Sequence, residues 1–305
     1  MYPNDLLPGI DLYVIFLCVA VIAAMVIYRI MADKLKIGAK LQNLCIYTAV
    51  AAIIFGYFSA VLFQALYDIK KNGGFVINLQ TGATFYGGLI GGAGMFLLIY
   101  FIAGKKMFPN KEHITRFFDV ADAAACSITV AHAFGRLGCL MAGCCYGQET
   151  KAWFGIKMLV HGVWEKRVPT QLFEAIFLAL IFLYLFARIK DKQSYCLQIY
   201  MMLYGVWRFV LEFIRADYRG TTVTDLVTPS QLTAIIMVLG GIFLIVIQKR
   251  LQTVSVEGDV PKAEGVSAKE DEYEYEEDEY DYDYEGSGDK EKYEDDAQES
   301  DGIEE

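Results

Sequence analysis

The stretch ahead of the first long apolar run, MYPNDLLPGID, contains two acids and no lysine or arginine, and no small-residue cleavage site follows. A cleavable export signal needs the opposite charge order, so this run is expected to be retained as a membrane span with its N-terminal side outside. Cysteine is sparse, with seven among 305 residues. Cys18, Cys45, Cys126 and Cys196 lie singly in apolar runs and read as small hydrophobes. Cys139, Cys144 and Cys145 cluster but follow no standard zinc spacing, and adjacent cysteines are awkward ligands for one tetrahedral ion. No metal or cofactor is therefore expected. Residues 251–305 are short of aliphatic side chains and carry 23 acids against 4 lysines, which excludes a packed core there. They read as an acidic, Tyr-rich, disordered cytoplasmic tail.

What remains is long apolar runs. The composition is 55% hydrophobic with 20 Phe and 20 Tyr, and the first 250 residues carry 23 Lys/Arg against 14 Asp/Glu. The net charge of −10 thus belongs to the tail, and the rest is basic. Both positive-inside loops and anionic headgroups account for that excess. Seven spans are read at 12–30, 44–66, 85–103, 120–134, 172–187, 195–214 and 232–247. Lys and Arg gather after the first, third, fifth and seventh. The expectation is an all-α polytopic membrane protein, N-out and C-in, comprising residues 1–250, with a small extracytoplasmic element at about 135–168. No nucleic-acid partner is expected.

Within the apolar part, FGRLGCLMAGCCYG (134–147) combines Arg136 with four glycines and three cysteines. Arg136 is either a snorkelling charge at a helix end or a fork for a phosphate or carboxylate. In YGVWRFVLEFIR, Arg208, Glu212 and Arg215 are spaced to share one helical face. A self-satisfied ion ladder is one reading. The other is an anion site, because one glutamate neutralises one of two arginines. The run headed by Tyr86, YGGLIGG, fits either a helix-packing face or a site wall at the same membrane level. The clustered cysteines could form a disulfide outside the cell or bind metal with His132, although their spacing fits no standard zinc pattern.

These blocks resemble, in order and spacing, the prolipoprotein diacylglyceryl transferase family over roughly residues 5–250. The carrying motifs are FYGGLIGG, GRLGCLMAGCCYG, PTQLFE and YGVWRFVLEFIR. The resemblance implies a multi-pass enzyme of the bacterial cell membrane. It would move diacylglyceryl from phosphatidylglycerol onto the lipobox cysteine thiol of preprolipoprotein signal peptides, releasing glycerol-1-phosphate. It implies Tyr86, Arg136 and Arg208 as catalytic residues. Tyr13, Gly87, Gly88, Gly135, Gly138, Gly147, Gln171, Glu212 and Arg215 would bind substrate. The family's two asparagines and one glutamate in the arginine block fall here on Cys139, Ala142 and Cys144. The alternatives are a non-catalytic lipid-binding or transport protein, and a thiol–disulfide oxidoreductase using Cys139, Cys144 and Cys145.

Overall fold

The computed structural model describes residues 11–69, 84–160, 162–191, 194–216 and 227–258. Most of the loop expected between the second and third spans lies outside these residues, as does the expected tail from 259 onward, whereas residues 251–258, expected to belong to that tail, continue the last helix.

Among the described residues, six helices are long and apolar enough to cross a membrane. They are α1 (Leu12–Lys34), α2 (Ala39–Tyr67), α3 (Phe85–Met107), α5 (Phe117–Ala142), α6 (Thr170–Lys190) and α8 (Pro229–Gly258), with a short α4 (Glu112–Thr115) before α5. The remaining expected span is a helix of 16 residues, α7 (Cys196–Leu211). At 1.5 Å per residue it rises about 24 Å, short of a bilayer core of about 30 Å.

Helix ends follow local chemistry. Asp11 accepts a hydrogen bond from Val14 N at 2.8 Å to cap α1. Thr228 Oγ1 accepts from Gln231 N at 3.2 Å while Gln231 Oε1 accepts from Thr228 N at 3.0 Å, a capping box with Pro229 in the first helical position. Lys34, Lys105, Lys106, Arg188 and Lys190 occupy last turns, where cations offset the helix dipole. Asp122 on α5 reaches across to accept from Leu197 N at 3.1 Å, so a carboxylate inside one span caps the start of α7.

α5, α6 and α7 form the centre. α1 packs on α5, α8 on α7, and α2 on α3. The α2–α3 contact explains the small residues of the YGGLIGG run. A Cβ on Gly91 would stand 2.3 Å from Ser59 Cβ, and one on Gly87 would stand 2.9 Å from the Ser59 carbonyl oxygen.

Two expectations are corrected. α5 runs unbroken to Ala142, so Gly135, Arg136, Gly138 and Cys139 belong to its last two turns. The element between the spans therefore begins at Gly143, not near 135. The helix stops there because Gly143 adopts the left-handed conformation (φ 72), with Cys144 N donating to Cys139 O and Gly143 N to Leu140 O. Likewise α7 stops at Leu211, and Arg215 is not on its face. Residues 214–216 pair instead with 146–148, through Gln148 N to Ile214 O at 2.9 Å and Ala216 N to Tyr146 O at 3.3 Å.

The element itself is a hairpin of β1 (Ile156–Val160) and β2 (Val163–Arg167), antiparallel, with Gly162 in the turn at φ 83. Arg167 pairs with Glu165 and lies over the Tyr146 ring. Trp153 and Trp164 are exposed, as suits rings at a membrane interface.

Candidate active site

One end of the bundle gathers the charged groups. Arg136, near the end of α5, places Nη2 3.0 Å from Glu174 Oε1 on α6, and the carboxylate is wholly buried. The same Nη2 donates to Tyr204 Oη at 3.3 Å, and Tyr204 in turn donates to Glu174 Oε1 at 2.7 Å. Arg136 Nε faces His132 Nε2 at 3.3 Å, one turn back on α5, and the other nitrogen of that ring lies 3.2 Å from Tyr200 Oη. The helices α5, α6 and α7 are thus joined by one connected polar network.

Arg208 follows Tyr204 by one turn of α7. Its Nη2 lies 2.8 Å from Glu212 Oε2 and donates to Ser230 Oγ at 2.8 Å, while its buried Nη1 has no hydrogen-bond partner among the described residues. Glu212 Oε1 accepts from Thr228 Oγ1 at 2.9 Å, and Arg215 Nε stands 4.0 Å from Glu212 Oε2. Glu174 lies within electrostatic reach of Arg208, so the two clusters share one field. Among the described residues, the guanidinium groups of Arg136, Arg208 and Arg215 gather with the carboxylates of Glu174 and Glu212.

Tyr86 Oη donates to Pro229 O at 2.7 Å and accepts from Thr233 Oγ1 at 2.9 Å, which ties α3 to the first turn of α8, next to the Ser230 that meets Arg208. Gly87 and Gly88 lie against α2. Gly135 borders open space, and Gly138 touches Tyr13 and Phe16 of α1. Gly147 bridges backbone to Arg215 and is hemmed in by Val168 and Thr170. Gln171 donates to Cys144 O at 2.5 Å, and Thr170 Oγ1 to Cys145 O at 2.8 Å. The start of α6 therefore holds the cysteine turn. The thiol of Cys144 is pushed up from its ordinary pKa by hydrogen bonding with Cys139, then with Cys145 and by burial.

The prolipoprotein diacylglyceryl transferase family model matches residues 6–247. The phosphatidylglycerol–prolipoprotein diacylglyceryl transferase of Clostridium tetani is 31% identical over 204 residues, 64% of this chain and 77% of that one. A second of that name from Clostridium perfringens is 32% identical over 216 residues, 69% of this chain and 79% of that one. Another, from Ehrlichia ruminantium, is 30% identical over 172 residues, 54% and 62% of the two chains.

The chain belongs to the prolipoprotein diacylglyceryl transferase family.

Within this member, sequence reasoning missed Glu174, Tyr204, His132 and Ser230 as parts of the site. A signal existed for Glu174, a lone carboxylate at the fifth residue of α6, since such a charge in an apolar span requires a partner. For Ser230 no signal existed, because its meeting with Arg208 depends on how α8 packs on α7.

Proposed function

We propose that this chain transfers diacylglyceryl from phosphatidylglycerol to the lipobox cysteine thiol of preprolipoprotein signal peptides, at the outer face of the cell membrane. The observation that carries this reading is the buried Nη1 of Arg208, a charged donor that has no hydrogen-bond partner among the described residues. A buried donor of that kind calls for an acceptor, and a phosphate oxygen supplies one.

In this reading Arg208 binds the lipid phosphate, and Arg136 adds its field from a position fixed by Glu174 and Tyr204. Sulfur of the acceptor attacks the glyceryl carbon bonded to phosphate. The carbon–oxygen bond breaks, glycerol-1-phosphate leaves, and the thiol proton goes to solvent. Charge grows on the leaving phosphate, where a preorganised donor is worth about 3 kcal/mol. Tyr86, whose proton is engaged with Pro229 O, orients the α8 turn beside the headgroup. Gly135, next to open space, leaves room for the lipid beside Arg136. The basic last turns at the opposite end of the bundle favour an N-out, C-in orientation.

The test is transfer of labelled diacylglycerol from phosphatidylglycerol to a synthetic lipobox peptide by the purified protein. Arg136→Ala and Arg208→Ala should each abolish detectable transfer. Transfer that survives both substitutions would overturn the reading, and so would a complete lack of transfer by the unaltered chain.

A further inference from the structure

The sulfur atoms of Cys139, Cys144 and Cys145 lie within 4.8 Å of one another. Among the described residues none of the three is in a disulfide. Tetrahedral zinc with Zn–S bonds of about 2.3 Å sets its thiolate sulfurs about 3.8 Å apart. Closing the three thiols onto one ion thus needs movements on the order of 1 Å. The adjacency of Cys144 and Cys145, an objection on sequence grounds, is resolved by the backbone. Gly143 and then Cys145 both adopt left-handed conformations, at φ 72 and 64, and this double reversal brings neighbouring side chains together with that of Cys139 on the helix before them. For a cysteine that conformation is unfavourable and must be held by its surroundings. Gln171 and Thr170 supply the hold, through the carbonyls of Cys144 and Cys145.

No fourth His, Cys, Asp or Glu among the described residues joins the group, and Cys144 is exposed. Three protein ligands and one accessible position is the arrangement of a zinc site that takes a substrate, not of a closed structural one. The location narrows what that substrate is. Arg136, three residues before Cys139, is within electrostatic reach of Cys139 and Cys145, and Tyr13 is within reach of all three. The thiols therefore stand beside the groups assigned to the lipid phosphate. The reaction proposed above needs a nucleophilic thiolate, whereas a thiol of ordinary pKa about 8.5 is mostly protonated at neutral pH. A thiol bound to zinc is deprotonated.

We propose that Cys139, Cys144 and Cys145 hold a Zn²⁺ ion whose fourth position receives the acceptor thiol. The zinc assignment rests on the thiols alone. The role of the fourth position rests on the transferase reading. On coordination the acceptor S–H proton passes to water. The sulfur lone pair then forms the C–S bond as the C–O bond to phosphate breaks, and zinc keeps its three cysteines throughout with no change of oxidation state.

The experiment uses the full chain, purified in detergent under reducing conditions. Zinc per chain is measured for the unaltered protein, for Cys139→Ser, Cys144→Ser and Cys145→Ser, and for Cys18→Ser as a lipid-facing control. Cobalt is then substituted, and its thiolate charge-transfer absorption is followed on addition of a peptide with one cysteine or the same peptide with serine. One zinc per chain is expected, with affinity at least about tenfold weaker in each of the three cluster variants and unchanged in Cys18→Ser. The cysteine peptide alone should alter the cobalt spectrum. Absence of stoichiometric zinc, or equal binding by the cluster variants, overturns the site. Bound cobalt indifferent to the cysteine peptide overturns the role of its fourth position. A spectral response without any lipid transfer would leave the zinc–thiol inference standing and refute the transferase reading. Full transfer by a zinc-free Cys144→Ser protein would do the reverse.

Discussion

Arg136 Nη2 and Glu174 Oε1 stand 3.0 Å apart on α5 and α6, and Tyr204 Oη bonds to both. The pair solves two burial problems at once, since neither charge is tolerable alone in an apolar bundle. Glu174→Ala strands the guanidinium, and breaking a buried pair from one side costs about 3–5 kcal/mol. The expected outcome is a clear fall in melting temperature in detergent together with loss of transfer. Glu174→Gln keeps an oxygen for Tyr204, so it should melt closer to the unaltered protein while transferring poorly.

Arg208 is expected to tolerate no replacement at its site. Lysine keeps the charge but cannot reach Glu212, Ser230 and a phosphate oxygen together, because it lacks the planar fork. Arg208→Lys should lower transfer by roughly 100-fold or more, in line with about 3 kcal/mol for one directed donor. Binding of phosphatidylglycerol, measured separately, should weaken less than the rate does.

Tyr86 separates two roles by magnitude. Removing a general base typically costs a factor of about 10²–10⁴. With its hydroxyl bonded to Pro229 O and Thr233 Oγ1, Tyr86→Phe is expected to cost less than about tenfold in turnover and to shift the melting temperature by a few degrees at most. A loss of 100-fold or more with the fold intact would make Tyr86 the proton acceptor.

Gly91 lies where α3 meets α2 with no room for a methyl group. Gly91→Ala should destabilise by about 1–3 kcal/mol through overpacking against Ser59. The check is a double substitution with Ser59→Gly, which should recover most of the loss, because the clash is with that side chain.

The apolar runs were long enough by themselves to determine a multi-pass helical membrane protein. Bilayer thickness and helical rise leave such runs few alternatives. Arg136, Arg208 and Glu212 were legible for the same reason, since charges in apolar helices stand out and the spacing of Arg208 and Glu212 is local. What the sequence did not carry were contacts made at long range. Glu174 pairs with an arginine 38 residues earlier, and Ser230 meets Arg208 across two helices. The helical period extrapolated past Leu211 put Arg215 on the wrong element, because hydrogen bonds to 146–148 end the helix first. The glycines after Phe134 put the end of α5 too early, since the helix runs on through Gly135 and through Gly138, which packs on Tyr13 and Phe16, and turns only at Gly143. The convergence of three thiols was decided by tertiary structure alone. It arises from two left-handed residues held by Thr170 and Gln171, and no period in the sequence encodes that turn.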